Sequence, residues 1–330
     1  MRRLTLAIVI LALIGFAAWL ILGQQTIDLQ PIIVTETVHS IFFAPQYVAL
    51  HNNYFAQEGL NVQLLLAPQP NMEMETRQII LSSAELAINS RQTGTDSPLI
   101  AFASLSQRDG SFLAYQGQDG EFRWENLHGK NILTGPPNLS TLSLEWLLLQ
   151  EKLCLGSDVF LHHYGANDPA SFAFRAGAND ILHLWEPHAS TFYNSGPDHL
   201  LFPLAALDIQ LPFSAYHAAA ELIIEDPQLL QKFTNAIYRA QIWLDNHNPA
   251  EIARLIAPSF PDIDEQILVA AIGRYKQLGV WAKSPLLQPG HLEQLQEILL
   301  ELGKIGSKYS LEQIVCNTFA QKAVQKIKQE

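Results

Sequence analysis

The sequence predicts an α/β protein built as two lobes. Three observations carry this. Residues 32–66 read as strand, helix, strand. Apolar strand-like runs then alternate with helical stretches as far as residue 205, after which the chain reads as helical. At 330 residues the chain also exceeds what one hydrophobic core ordinarily serves.

The N-terminus is a targeting signal. Arg2 and Arg3 precede an uncharged apolar run over residues 4–23, about long enough to span a bilayer. It is longer than a usual signal-peptide core, and Ile21-Leu22-Gly23 lacks the paired small residues of a cleavage site. The reading favours an uncleaved transmembrane anchor, residues 1–23, over a cleaved signal. The basic flank would stay cytoplasmic and the rest would lie outside. No cysteine follows the run, which excludes a lipoprotein anchor. A short polar linker, 24–30, leads into the first lobe.

Residues 32–38 (IIVTETV) are β-branched and apolar, as in a buried parallel strand. Pro45 suits the first turn of a helix, where its missing N–H has no helical partner. Tyr47, Val48, Leu50, Tyr54 and Phe55 continue at helical spacing, Gly59 stops the helix, and residues 62–66 form the second strand. The strand-to-helix turn is 39–46, and turns at the carboxyl ends of parallel strands are where open α/β sheets bind ligands. His39, Phe42, Phe43 and Gln46 lie there. Next are a helix over 72–81 with Asn71 as cap, a short strand over 85–88 ending at Asn89-Ser90, and apolar strands at 99–105 and 111–115. Further strands are expected at 131–133, 159–164, 180–186 and 200–205. Helices are expected at 142–153, 170–175 and 188–193, then at 228–247, 250–256, 265–278 and 291–302. Residues 311–330 read as a polar amphipathic tail, loosely packed or frayed.

Composition bounds the function. An apolar share of 48% with 16% charged residues is globular, and a net charge of −12 argues against nucleic-acid binding. The two cysteines, Cys154 and Cys316, are too few for a disulfide scaffold and lack metal spacing. They read as buried free thiols, with Cys154 between two leucines as core. His162, His163, His183 and His188 show no zinc-type spacing, so no metal and no cofactor is expected. Nucleophile-elbow, P-loop and dinucleotide fingerprints are absent from the sequence.

Four phrases carry a resemblance. H-x-I-x-x-A-P-Q-Y-V-A-L from His39 to Leu50, followed by Y-F-x-x-E-G-L-N-V from Tyr54 to Val62, resembles the opening of two-lobed substrate-binding proteins of ABC importers. The group is the nitrate, sulfonate and taurine class together with the thiamine-pyrimidine-precursor class. L-x-Q-R-D-G-S-F-L, from Leu105, resembles the crossing into the second lobe. The phrase around Trp124–Lys130 resembles the entry into that lobe, where Trp124 packs. The run from Phe174 through Trp185-Glu186-Pro187 resembles a second-lobe strand end with an aromatic-Glu-Pro.

The resemblance implies a type II periplasmic-binding-protein fold with the cleft between lobes. Its parts would be 31–117 (first lobe), 118–210 (second lobe) and 211–330 (helical completion of the first lobe). It makes Asn89 and Ser90 ligand-facing, although both residue types also simply form turns. Gln107 would reach ligand from the crossing, while Arg108 and Asp109 would serve as a structural turn pair beside Gly110. Ser140 would offer a hydroxyl where relatives carry a glycine-rich anion turn. Here Pro136 and Pro137 remove N–H donors, which weakens an anion reading. Trp185 can stack on a flat ligand and Glu186 can accept from an amino or ring N–H, or else cap the next helix. Ser214 and Tyr216 follow at the return crossing.

The expected function is therefore the extracytoplasmic, membrane-anchored binding component of an importer. Its partners would be a small ligand, an ABC permease and its ATPase. A heteroaromatic such as a thiamine-pyrimidine precursor is favoured over a sulfonate, taurine or nitrate. A catalytic relative, like the fungal enzymes that build the thiamine pyrimidine on this fold, is disfavoured because their cysteine cluster and first-unit lysine are missing. A sensor that delivers nothing to a permease stays open.

Overall fold

The computed structural model describes residues 29–67, 77–94, 97–116, 122–163 and 181–327. The expected anchor 1–23, most of the linker 24–30, the start of the helix expected at 72–81 and the helix expected at 170–175 lie outside them. Among the described residues no helix is long and apolar enough to cross a membrane.

Two five-stranded sheets form the frame. The first contains β1 (Gln30–Glu36), β2 (Leu60–Leu66), β3 (Gln78–Ser82), β4 (Leu99–Ser106) and β10 (Ser214–Ala219), in the order β2-β1-β3-β10-β4. Its strand β1 runs parallel to β3, pairing Val34 with Ile79, while β10 runs antiparallel to β3 and β4. The second contains β5 (Ser111–Gln116), β6 (Lys130–Thr134), β7 (Val159–His163), β8 (Ile181–Trp185) and β9 (His199–Pro203), in the order β7-β6-β8-β5-β9. There β6 is parallel to β7 and β8, and β5 is antiparallel to β8 and β9. Strand β3, inside the sheet, and β4, at its edge, are both continuous apolar runs because both of their faces are covered. The edge strand β2 alternates buried and exposed positions.

The helices are α1 (Ala44–His51), α2 (Tyr54–Gln57), α3 (Glu85–Gln92), α4 (Leu139–Gln150) and α5 (His188–Tyr193). After β10 come α6 (Ala220–Glu225), α7 (Pro227–Asn246), α8 (Pro249–Ile256), α9 (Glu265–Gln277), α10 (Pro289–Glu301), α11 (Leu311–Ile314) and α12 (Thr318–Ile327). Their starts follow local chemistry. Pro45 sits in the first turn of α1. The Asn138 side chain accepts from Thr141 N at 3.1 Å to cap α4, and Asn248 with Glu251 forms a capping box on α8.

The structure corrects the sequence reading in four places. Residues 85–88 are the first turn of α3 and not a strand. The strand of that unit is β3, which takes the end of the helix expected at 72–81. The run QIILSSAELAI is too short for periodicity to separate strand from helix. The central place between β1 and β10, where both faces are covered, goes to QIILS. The tail is docked, not frayed. Phe319 is 4% exposed against the Phe102 ring, Ala320 and Ala323 are buried, and Cys316 N donates to Ala101 O at 2.9 Å. Cys154 is exposed and Cys316 partly so; both are free thiols, and neither is core.

The chain crosses between sheets twice. Residues 107–110 carry β4 into β5, so β5 already belongs to the second sheet. Residues 204–213 return from β9 to β10. The crossings are tied together, since Leu211 N donates to Gln107 O at 3.1 Å and Arg108 Nη1 donates to Ala205 O at 3.0 Å. Polar contacts also join the second-sheet helices to the C-terminal helices at two places. Between α5 and α9 the link is Glu186 with Arg274. Between α4 and α10, Trp146 Nε1 donates to Glu301 Oε2 at 2.7 Å.

Candidate functional site

The turn after β1 is held by short-range polar contacts. Ser40 Oγ accepts from Phe42 N at 3.2 Å and Ser40 O accepts from Phe43 N at 3.0 Å, which winds Ile41–Phe43 into a 3-10 turn ahead of α1. This aims Phe42 at the first crossing. Its ring lies 6.0 Å from that of Tyr275, its carbonyl accepts from Trp281 Nε1 at 2.9 Å, and a Cβ placed on Gly110 would fall 2.6 Å from the ring. Phe42 and Phe43 are both buried, with ring centroids 5.9 Å apart.

His39, Gln46 and Tyr216, read separately from the sequence, converge on Glu36, which the reading passed over. Glu36 is 2% exposed at the end of β1. Its Oε1 accepts from Gln46 Nε2 and, at 2.7 Å, from Tyr47 OH; its Oε2 lies 3.1 Å from His39 Nδ1. Gln46 Oε1 accepts from Tyr216 OH at 3.1 Å, so β10 joins the same network. His39 Nε2 faces Ser259 O at 2.8 Å and must donate there. A carboxylate facing Nδ1 then favours the imidazolium, and the Glu36 hydrogen bond holds the His39 pKa above its ordinary value. Burial, then the Glu36 charge, pushes Tyr47 upward, and burial does the same to Tyr216. A single charged side chain in an apolar strand was the available signal, because a buried charge requires partners.

At the first crossing, Gln107 is half-buried and its Nε2 donates to Gly279 O at 3.3 Å. The neighbouring carboxylate, Asp109, is 4% exposed. Its Oδ1 accepts from Ser111 N at 2.8 Å, Ser111 Oγ at 2.7 Å and Ser140 Oγ at 2.9 Å. Ser140 stands in the first turn of α4, so this carboxylate meets the N-terminal turn of that helix. Asp109 is thus more than a turn former.

At the end of β8, Trp185 is half-buried, its ring 4.6 Å from that of His183. Glu186 is 2% exposed, and both its oxygens are engaged. Arg274 Nη1 donates to Oε1 at 2.7 Å and Ser190 N donates to Oε2 at 3.0 Å. Its own N–H donates to Tyr275 OH at 3.1 Å, and Arg274 also donates to Ser190 Oγ at 2.6 Å. Glu186 therefore caps α5 and ties it to α9. Arg274, 88 residues away in the chain, carried no sequence signal for this pairing.

Asn89 and Ser90 are not at a strand end. They lie in α3, with Asn89 exposed and Ser90 Oγ accepting from Leu99 N at 2.8 Å. The turn between β3 and α3 is 83–84, where Ala84 N donates to Pro212 O at 3.1 Å. The structure therefore gathers Phe42, Phe43, Gln107 and Ser140 around the first crossing, groups His39, Gln46 and Tyr216 on Glu36, and sets Trp185 and Glu186 by α9.

Comparison with known proteins gives this arrangement a family. The NMT1/THI5-like family model matches residues 40–252. The chain is 30% identical over 308 residues to the Bacillus subtilis (strain 168) protein named "Putative binding protein YtlA", covering 91% of each chain. Its structure is similar to the periplasmic aliphatic sulphonate binding protein SsuA of Escherichia coli. The TM-score is 0.67 at 13% identity, over 88% of this chain and 92% of that one. It is also similar to the periplasmic nitrate-binding protein NrtA of Synechocystis PCC 6803, with a TM-score of 0.68 at 11% identity, over 92% and 90%. The two-sheet frame is the fold of these periplasmic binding proteins, and the extended match to the family model places the chain in the NMT1/THI5-like family.

Proposed function

We propose that the chain is the extracytoplasmic substrate-binding component of an ABC importer, taking a small ligand between the two sheets. The observation that carries this is the meeting of three turns at one place. Phe42 comes from the first sheet, Asp109 from the crossing and Ser140 from the second sheet. Crossings of this kind act as hinges, and closure about them buries a ligand. The name of YtlA as a binding protein and the names of SsuA and NrtA as periplasmic binding proteins support the same role. The partners are a permease and its ATPase, and the apolar N-terminal run anchors the protein to the membrane. The protein works by binding and release, without a chemical step of its own.

The ligand is a flat, amino-bearing heteroaromatic such as a thiamine-pyrimidine precursor. Phe42 and Trp185 supply apolar faces. The Asp109 carboxylate next to Ser140 disfavours an anion at the start of α4, where Pro136 and Pro137 also lack N–H donors. A sulfonate or nitrate is the second reading, supported by the names of SsuA and NrtA. Glu186, with both oxygens engaged, positions α5 in either case. The test is thermal melting of the full-length protein with aminopyrimidines, sulfonates, taurine and nitrate, because a ligand of the folded state raises the melting temperature. A rise with aminopyrimidines alone is expected. A rise with anions alone selects the second reading, and no rise with any of them removes the binding-protein role for these ligand classes.

A further inference from the structure

A chain of hydrogen bonds ends at one oxygen of Asp109 and leaves the other free. Thr134 Oγ1 lies 2.8 Å from His183 Nδ1, His183 Nε2 lies 2.7 Å from Ser111 Oγ, and Ser111 Oγ lies 2.7 Å from Asp109 Oδ1. The four residues come from β6, β8, the start of β5 and the crossing, so the chain runs across three adjacent strands of the second sheet.

The direction of each bond follows from chemistry. Oδ1 already accepts the Ser111 N–H, so Ser111 Oγ donates to it as well and its lone pair takes the proton of His183 Nε2; burial raises the Asp109 carboxyl above its ordinary pKa, and the hydrogen bonds from Ser111 and Ser140 work against that rise. Burial keeps His183 neutral, with its pKa lowered to about 3, so Nδ1 is the acceptor and Thr134 is the donor. Every hydroxyl and N–H in the relay thus points toward Asp109, and successive bonds polarise one another in that sense. Ser140 Oγ and Ser111 N add two further donors to the same oxygen. All of them reach Oδ1. Oδ2 is buried and has no hydrogen-bond partner.

A buried carboxylate with an unused oxygen is costly unless something satisfies it. Asp109 stands beside Gly110, which Phe42 covers, and its charge is felt at Tyr275. The free oxygen therefore lies where the first-sheet turn, the crossing and the start of α4 meet. We propose that Asp109 Oδ2 is the acceptor that selects a ligand carrying an N–H donor, an amine, an amidine or a ring amino group, with the Thr134–His183–Ser111 relay holding the carboxylate in place. This rests on the binding role proposed above and assigns the residue that sets its ligand class.

The test compares two matched probes, 4-amino-2-methylpyrimidine and 2,4-dimethylpyrimidine, by calorimetric titration into the full-length protein. A hydrogen bond to a charged group corresponds to roughly a ten- to hundredfold difference in affinity, so the amino compound should bind the wild-type protein tighter by about that factor. Asp109→Asn must keep its carbonyl toward the three donors, which turns its NH2 toward the ligand and should erase the preference. Equal affinity of wild type for the two probes would overturn the proposal without any variant, so a misfolded Asp109→Asn chain does not shield it. Retention of the preference by a folded Asp109→Asn protein would overturn it too. If sulfonates bind and neither pyrimidine does, the binding role stands and Asp109 loses this part. If nothing in the panel binds, both fall.

Discussion

Replacing Arg274 by alanine tests whether the α5–α9 link holds the two sheet systems together. The Glu186 side chain is 0% exposed and that of Arg274 is 25% exposed. Removing one partner of a buried ion pair ordinarily costs about 3–5 kcal/mol, because the remaining charge stays desolvated. Two features set the figure here. Glu186 keeps one donor, Ser190 N at 3.0 Å, and the partial exposure of Arg274 lets water reach Oε1 once the guanidinium is gone. A loss of about 2–4 kcal/mol follows. Glu186→Gln should cost less, about 1–3 kcal/mol, since the amide can still accept from one of its two donors. The double variant Arg274→Ala with Glu186→Gln should cost clearly less than the sum, because the two residues share one interaction. Urea unfolding of the three variants measures the cycle, and small-angle scattering reads whether the radius of gyration rises as the link is cut. An Arg274→Ala protein within about 1 kcal/mol of wild type, or a strictly additive cycle, would refute the reasoning.

Three further expectations concern burial. His217 is 0% exposed and its pKa is lowered to about 4 by burial, so the unfolded chain takes up its proton first. Its contribution is complete above the ordinary value of 6.5 and is lost as pH falls toward 4; between pH 7 and 4.5 His217→Phe should lose about 2 kcal/mol less than wild type in urea titrations. Glu85 behaves in the opposite sense. Burial raises its carboxyl to about 7, so the folded state keeps the proton and stability falls as pH rises from 4.5 to 7. Glu85→Gln should therefore gain roughly 1–3 kcal/mol at pH 8 and nothing at pH 4, and an equal gain at both would contradict the assignment. Phe319→Ala should cost about 3–5 kcal/mol if α12 is a true part of the core; a cost near zero by the same titration would return the tail to the frayed state that its polarity implies.

Local chemistry made the frame legible. The β-branched run before the turn at Ser40, Pro45 in a first helical turn and the Asn248-Pro249 start of α8 are each decided by a few neighbouring residues, and the structure agrees with them. The failures came where a distant segment decides. QIILS and ELAI are both short and apolar. Only the place between β1 and β10 makes the first a strand and leaves the second to coil beside β4. Phe319 looks surface-bound in a polar tail until Phe102 and α7 supply the face it covers.

The site follows the same division. A lone Glu36 in an apolar strand, and an Asp109 between two apolar strands, could each be recognised as a charge in need of partners. Nothing nearby in sequence says that Gln46, Tyr47 and Tyr216 answer the first, or that Ser111 and Ser140 answer the second with one oxygen to spare. Glu186 shows the converse. Its motif offered it either as a ligand contact or as the cap of the next helix, and the bonds from Arg274 and Ser190 N are those of the cap. The useful sequence signal is therefore the charge out of place, and the useful structural question is which of its acceptor atoms the fold has left unanswered. At the crossing between the sheets that question points to Asp109, whose Oδ2 is buried without a hydrogen-bond partner.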